Sequence, residues 1–233
     1  DEAVITDADA FAHFNAFFTR ALEPEARPID PTPGALVCPA DGRVSQIGPI
    51  SVGRIVQAKG MDYSVAELLG GHDDEAERFA GGGFATVYLS PRDYHRVHAP
   101  CAGRLRRAIH VPGRLFSVAP WTTESIPRLF ARNERLALLF DTEQGPLAVV
   151  LVGAIFVSSI ETVFDGEVTP PYADRVRVRD YSGTNAPSFA LGDEIGRFNM
   201  GSTVILLSGA GLPGWRADLA AGDPVRMGLR LSS

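Results

Sequence analysis

Three short segments bring together side chains that can do chemistry in combination: Pro39-Ala40-Asp41-Gly42, the stretch from Ser90 to Pro100 (SPRDYHRVHAP), and Gly201-Ser202-Thr203. They supply a carboxylate, two imidazoles and a hydroxyl. A carboxylate that orients an imidazole, which in turn deprotonates a serine, makes an activated oxygen nucleophile whatever the chain order. Asp41, one of His95 and His98, and Ser202 can fill those roles. Each piece also has an ordinary reading. Asp-Gly is commonly a turn, histidines three apart are commonly plain core or surface residues, and Gly-Ser-Thr can simply lead into a strand. The surroundings of Ser202, Met200-Gly201-Ser202-Thr203-Val204, lack the Gly-x-Ser-x-Gly of a hydrolase nucleophile elbow.

Other chemistries compete for the same residues. His95, His98 and Cys101 recur every third residue and Cys38 can join them, a donor set that zinc accepts. The spacing is not that of a usual zinc motif, and Pro100 interrupts it. Neither cysteine sits in a recognisable nucleophile context. Of the 22 basic residues only Lys59 is a lysine, in Ala-Lys-Gly, so a lysine-bound pyridoxal cofactor has a single and poorly supported anchor.

The elements that position these groups read as mostly β. Alternating or apolar runs recur between turn residues from Ala35 to about Ile160: ALVC, RVSQI, RIVQA, FATVYL, GRLRRAIHV, RLALLF and the run Leu147 to Val157. Strong strand character returns at Thr203 to Leu207, and a last strand fits Val225 to Leu231. Residues 8 to 22 place Phe11, Phe14, Phe18 and Leu22 at helical spacing, which predicts an amphipathic helix, packed on the core or seated on a bilayer. Ser64, Glu67 and Gly70-Gly71 mark a short capped helix, and the acidic, then glycine-rich HDDEAERFAGGG reads as a solvated loop. The expectation is an α+β, β-dominated fold: residues 1–34 as a helical segment and proline-rich connector, residues 35–233 as one β-rich catalytic domain.

With 233 residues, 45% of them apolar, the chain can bury a substantial core, and a net charge of -6 argues against nucleic acid as the partner. No apolar run reaches the roughly 18 residues that suggest a membrane-spanning helix.

Taken in order, FNAFFTRAL, EARPID, CPADGRV, AKGMDYSVAELLG, YLSPRDYHRVHAP, PGRLFSV, LFARNERLAL, VGAIFVSSIET and GSTVILL resemble the bacterial-type phosphatidylserine decarboxylases over residues 11–208. The resemblance implies a proenzyme that cuts itself at Gly201-Ser202 into a large chain and a small one, 202–233. It implies a processing triad of Asp41, His98 and Ser202, with His95 serving decarboxylation. The implied cofactor is a covalent pyruvoyl group made from Ser202, with neither pyridoxal phosphate nor metal. The family motif has leucine where this chain has Met200, and little precedes the amphipathic segment, so an N-terminal membrane-binding segment of many relatives is expected to be missing or shortened.

The resemblance further implies packed sheets like a barrel-sandwich hybrid, with the small chain's strand in the large chain's sheet. Phosphatidylserine would be the substrate and phosphatidylethanolamine the product, on a homodimer peripheral to the cytoplasmic face of the cell membrane. Two alternatives stand beside it: an uncleaved, carrier-like β domain that binds lipid or a partner, and a pyruvoyl decarboxylase for another serine-containing substrate.

Overall fold

Alternating and apolar runs became strand wherever a neighbour could take up their backbone groups, in a computed structural model that describes residues 2–155, 159–168, 173–199 and 202–233. Along the chain come β1 (Gly42–Pro49), β2 (Arg54–Ala58), β3 (Met61–Ser64), β4 (Gly83–Leu89) and β5 (Arg96–His98). Then follow β6 (Gly103–Val111), β7 (Arg135–Thr142), β8 (Gly145–Gly153), β9 (Ile160–Thr162) and β10 (Gly166–Glu167). The last are β11 (Arg177–Asp180), β12 (Ser188–Phe189), β13 (Glu194–Phe198), β14 (Ser202–Ser208) and β15 (Pro224–Val225). Helices are short: α1 (Phe14–Phe18), α2 (Val65–Leu68), α3 (Asp73–Glu77), α4 (Pro120–Thr123) and α5 (Leu129–Arg132). The fold is α+β and β-dominated.

Nine strands form one antiparallel sheet in the order β11-β6-β7-β8-β14-β4-β1-β15, with β12 also on β6. Its path does not close into a barrel among the described residues. A second sheet, β10-β9-β13-β5, packs on one face, where Val97, Ile160, Ile195 and Phe198 meet Val204 and Leu206. The β2-β3 hairpin, α2 and α5 cover the other face, where Ile55, Tyr63, Leu68 and Phe130 meet Ile205 and Leu207. Strand β14 is therefore buried throughout, and a strand covered on both faces reads as an unbroken apolar run such as TVILL. It sits in the middle of the large sheet, paired with β8 and β4 over its whole length.

Three local expectations are revised. The amphipathic stripe is not one helix over 8–22: Asp7 caps a 3-10 turn at Ala8–Ala10, and the chain then restarts as α1 with the His13 ring accepting from the Ala16 amide at 3.1 Å. Phe18 is buried, whereas Phe14 and Phe17 are 60% and 38% exposed, so only part of the stripe packs on the protein. The acidic segment is not a solvated loop. It forms α3, whose buried Glu75 carboxylate is paired with Arg106 and, at 2.7 Å, with Arg107. The expected C-terminal strand is shorter, two residues of β15 followed by a bridge from Arg230 to Val37. The helix over 65–68 has the expected capping box, and Gly70 and Gly71 follow it with positive φ.

Candidate active site

Sheet pairing places the serine. Ser202 opens β14 opposite Gly153 of β8 and Leu89 of β4. Alternation along the strand puts its side chain on the face of Val204 and Leu206, the one covered by the small sheet that contains β5. Ser202 is buried, and its Oγ has no hydrogen-bond partner among the described residues. Gly201 and Met200 lie outside the described residues. Asn199, just ahead of them, is tied down: its amide nitrogen donates to Ser159 Oγ at 2.6 Å, and its carbonyl oxygen accepts from Asn15 of α1 at 3.0 Å.

His95 immediately precedes β5 and His98 ends it, and their hydrogen bonds fix their tautomers. His95 Nδ1 lies 2.8 Å from the Asp93 carbonyl and His98 Nδ1 lies 2.8 Å from the Gly192 carbonyl. A carbonyl only accepts, so each Nδ1 carries the proton and each Nε2 holds the lone pair. In His98 that lone pair accepts from the Tyr94 hydroxyl at 3.1 Å, with the two rings stacked. In His95 it has no partner among the described residues, and the ring packs 4.0 Å, centroid to centroid, from Phe18. Burial pushes His95 down to about 4, partly opposed by its bond to the Asp93 carbonyl, and burial lowers His98 as well. Both rings are neutral bases at pH 7.

Asp41 lies beside this group but is not hydrogen-bonded to either imidazole. Its carboxylate is taken by the Arg27 guanidinium, with Nε 2.9 Å from both oxygens and Nη2 2.5 Å from Oδ2, and by the Met227 amide at 2.9 Å. Its field raises the proton affinity of both histidines, a smaller effect than burial. The His98 amide donates to the Pro39 carbonyl at 2.8 Å, which anchors β5 to the loop that presents Asp41. Gly42 is glycine here because a Cβ would collide with the Tyr88 carbonyl of β4, a tighter reason than a turn.

Reading by motif missed Arg27, Tyr94 and Met227. Arg27 stands in EARPID and Tyr94 one residue before His95, but nothing in their spacing says that they clamp Asp41 and cap His98. Met227 contributes only a backbone amide, which no side-chain pattern reports. The rival readings look different in place. Burial drives the Cys38 thiol up to about 12 and that of Cys101 up to about 11, so neither supplies a thiolate at neutral pH. Among the described residues no three His, Cys, Asp or Glu side chains converge as a metal-ligand set.

The family model for phosphatidylserine decarboxylase matches residues 14–233. The chain belongs to the phosphatidylserine decarboxylase family. A phosphatidylserine decarboxylase proenzyme of Pseudomonas fluorescens is 59% identical over 228 residues, 97% of this chain and 79% of that protein. One from Azotobacter vinelandii is 60% identical over 228 residues, 97% of this chain and 80% of its own length. A third, from Alkalilimnicola ehrlichii, is 61% identical over 206 residues, 88% and 72% of the two chains. Membership of this decarboxylase family makes the chain an enzyme. No helix among the described residues is long and apolar enough to cross a membrane.

Proposed function

We propose that this chain decarboxylates phosphatidylserine to phosphatidylethanolamine after cutting itself between Gly201 and Ser202. The observation that carries the proposal is Ser202 itself: a buried hydroxyl with no partner among the described residues, at the first position of the central strand, in a chain similar throughout to proteins named as proenzymes. An unpartnered buried hydroxyl is costly to maintain, which suits a group that is consumed.

In this reading Ser202 Oγ attacks the Gly201 carbonyl, and the peptide C–N bond is exchanged for an ester. Loss of the ester from Cβ and hydrolysis of the resulting enamine release ammonia and leave a pyruvoyl group at position 202. His98 Nε2 takes the serine proton once the Tyr94 hydroxyl turns from it, and Asp41 favours the imidazolium by its charge. Arg27 holds the Asp41 side chain in place through its guanidinium.

A group built from Ser202 fits the surroundings: the serine is buried beneath the small sheet, whose strand β5 ends in the neutral His98 imidazole and follows directly on the neutral His95. The pyruvoyl group supplies the electron sink that stabilises charge as carbon dioxide leaves. His95 Nε2 has the state its task requires: a free lone pair takes a proton from the substrate ammonium, and the resulting imidazolium returns one to the α-carbon. Residues 1–34 carry Phe14 and Phe17 toward the bilayer surface, on the cytoplasmic face, and residues 35–233 form the catalytic body.

Intact mass of the purified protein tests the reading. Cleavage should yield a fragment of residues 202–233 that resists Edman degradation because a pyruvoyl group has no amine, and Ser202→Ala should stay whole and inactive. A fragment with a free serine amine refutes the proposed cofactor.

A further inference from the structure

A cavity of about 540 Å³ opens beside the reactive cluster, with Asp41 and Tyr94 in its wall. Tyr88 and Ser90, also in the wall, flank Leu89, the register partner of Ser202. Five arginines line it, Arg20, Arg27, Arg43, Arg92 and Arg226, against the carboxylates of Glu2, Asp41 and Asp93. The carboxylates are already engaged. Arg27 holds Asp41 and Glu2, Arg226 lies 3.4 Å from Glu2, and Asp93 accepts from the Ser90 amide at 2.7 Å.

Three guanidiniums are left without a carboxylate among the described residues. Arg20 touches only the carbonyl and ring of Phe17, Arg43 donates to the Gly222 carbonyl at 2.9 Å, and Arg92 is exposed with no polar partner.

We propose that Arg43 and Arg92, with Arg20, form the subsite for the phosphodiester of the substrate lipid. This rests on the function proposed above and extends it to head-group recognition. Guanidinium forks suit phosphate oxygens. The substrate has two anionic groups, and energetics choose between them. A cation on the departing carboxylate stabilises the ground state more than a transition state in which that charge is dispersing, and so slows the reaction. The phosphodiester keeps its charge throughout, so arginines placed on it hold substrate and transition state alike. Arg20 lies over the ring of Phe17 on α1, and the exposed Phe14 and Phe17 offer acyl chains a path outward.

Uniform binding of this kind appears in KM and leaves kcat alone. With a short-chain phosphatidylserine kept monomeric, Arg43→Gln/Arg92→Gln should raise KM about tenfold at unchanged kcat, the low end for bonds to a charged group at exposed sites. Arg104→Gln/Arg175→Gln, which changes two exposed arginines outside the cavity, serves as the control for net charge. Inorganic phosphate should inhibit the wild type competitively and the Arg43→Gln/Arg92→Gln variant far less, and calorimetric binding of glycerophosphoserine should weaken in parallel.

An unchanged KM overturns the assignment, as does a loss seen only on lipid aggregates, which would mark surface attraction. Lost phosphate inhibition with an unaltered lipid KM would mark a site for free phosphate and also overturn it. If the wild type releases no carbon dioxide from phosphatidylserine, the proposed function fails, and glycerophosphoserine calorimetry alone then decides whether the arginines bind a phosphodiester.

Discussion

Replacing Arg27 by methionine keeps an unbranched apolar stem and removes the charged guanidinium, leaving the Asp41 carboxylate buried with only the Met227 amide as donor. Arg27 and Asp41 are 7% and 6% exposed, and three nitrogen–oxygen contacts of 2.5–2.9 Å join them. Breaking a buried ion pair from one side costs about 3–5 kcal/mol. Both residues line the adjoining cavity, so the lower value, about 3 kcal/mol, applies. For a chain of this size that is a fall in Tm of roughly 6–12 °C. Thermal and urea unfolding should be followed in a Ser202→Ala background, where the chain stays in one piece. Arg27→Met/Asp41→Leu should recover about 1–2 kcal/mol, because no unpaired charge remains although the Met227 amide still lacks its acceptor. A loss below about 1 kcal/mol for Arg27→Met, or a double variant less stable than the single one, would refute the view that this pair is buried and mutually dependent.

His95→Ala should still cleave itself yet lose roughly a hundredfold to ten-thousandfold of its carbon dioxide release, the usual worth of general acid–base catalysis; wild-type turnover in the cleaved variant would show that His95 carries no proton. Asp41→Asn and His98→Ala should slow the appearance of the 202–233 fragment on denaturing gels, and normal cleavage in both would remove the triad. His95, lowered from 6.5 to about 4, binds protons more readily in the unfolded chain, so it contributes about 3 kcal/mol at neutral pH that is lost as pH falls from about 6.5 toward 4. The urea midpoint should fall across that window, and less so in His95→Phe; parallel curves would count against the shift. Phe14→Ser/Phe17→Ser should weaken binding to lipid vesicles about thirtyfold, some 2 kcal/mol for two partly exposed rings, and equal sedimentation with vesicles would locate the membrane contact elsewhere.

Much of this architecture was legible where a single local rule decided the outcome. GRLRRAIHV and RLALLF became β6 and β7, and SVAELLGG formed the capped helix that Ser64 and Glu67 announce. The errors came where distant partners overrode the local pattern. Glu75 reads as solvated until Arg106 and Arg107, some thirty residues away, arrive to pair with it. Periodicity alone carries Phe11 to Leu22 as one helix, but the imidazole of His13 accepts from the Ala16 amide and starts the helix there, so that Phe18 reaches His95. At the site, composition and motif named candidate groups but not what each one faces. The grip of Arg27 on Asp41 depends on a sheet that brings residues 27, 41 and 227 together, information held in no one stretch of sequence.

The central place of β14 has a mechanical consequence. A break in the backbone ahead of Ser202 is to this sheet what a nick is to a duplex. Seven residues remain zipped to β8 on one side and β4 on the other, from Ser202 opposite Leu89 and Gly153 to Ser208 opposite Gly83 and Leu147. A piece severed there would have no route of escape short of melting the sheet, so dilution should not part the two proposed fragments, and their dissociation should coincide with global unfolding. In the proposed cleavage the new chain end would begin a strand paired on both sides, so the cut would deliver its reactive group to a fully hydrogen-bonded seam rather than to a loose tail.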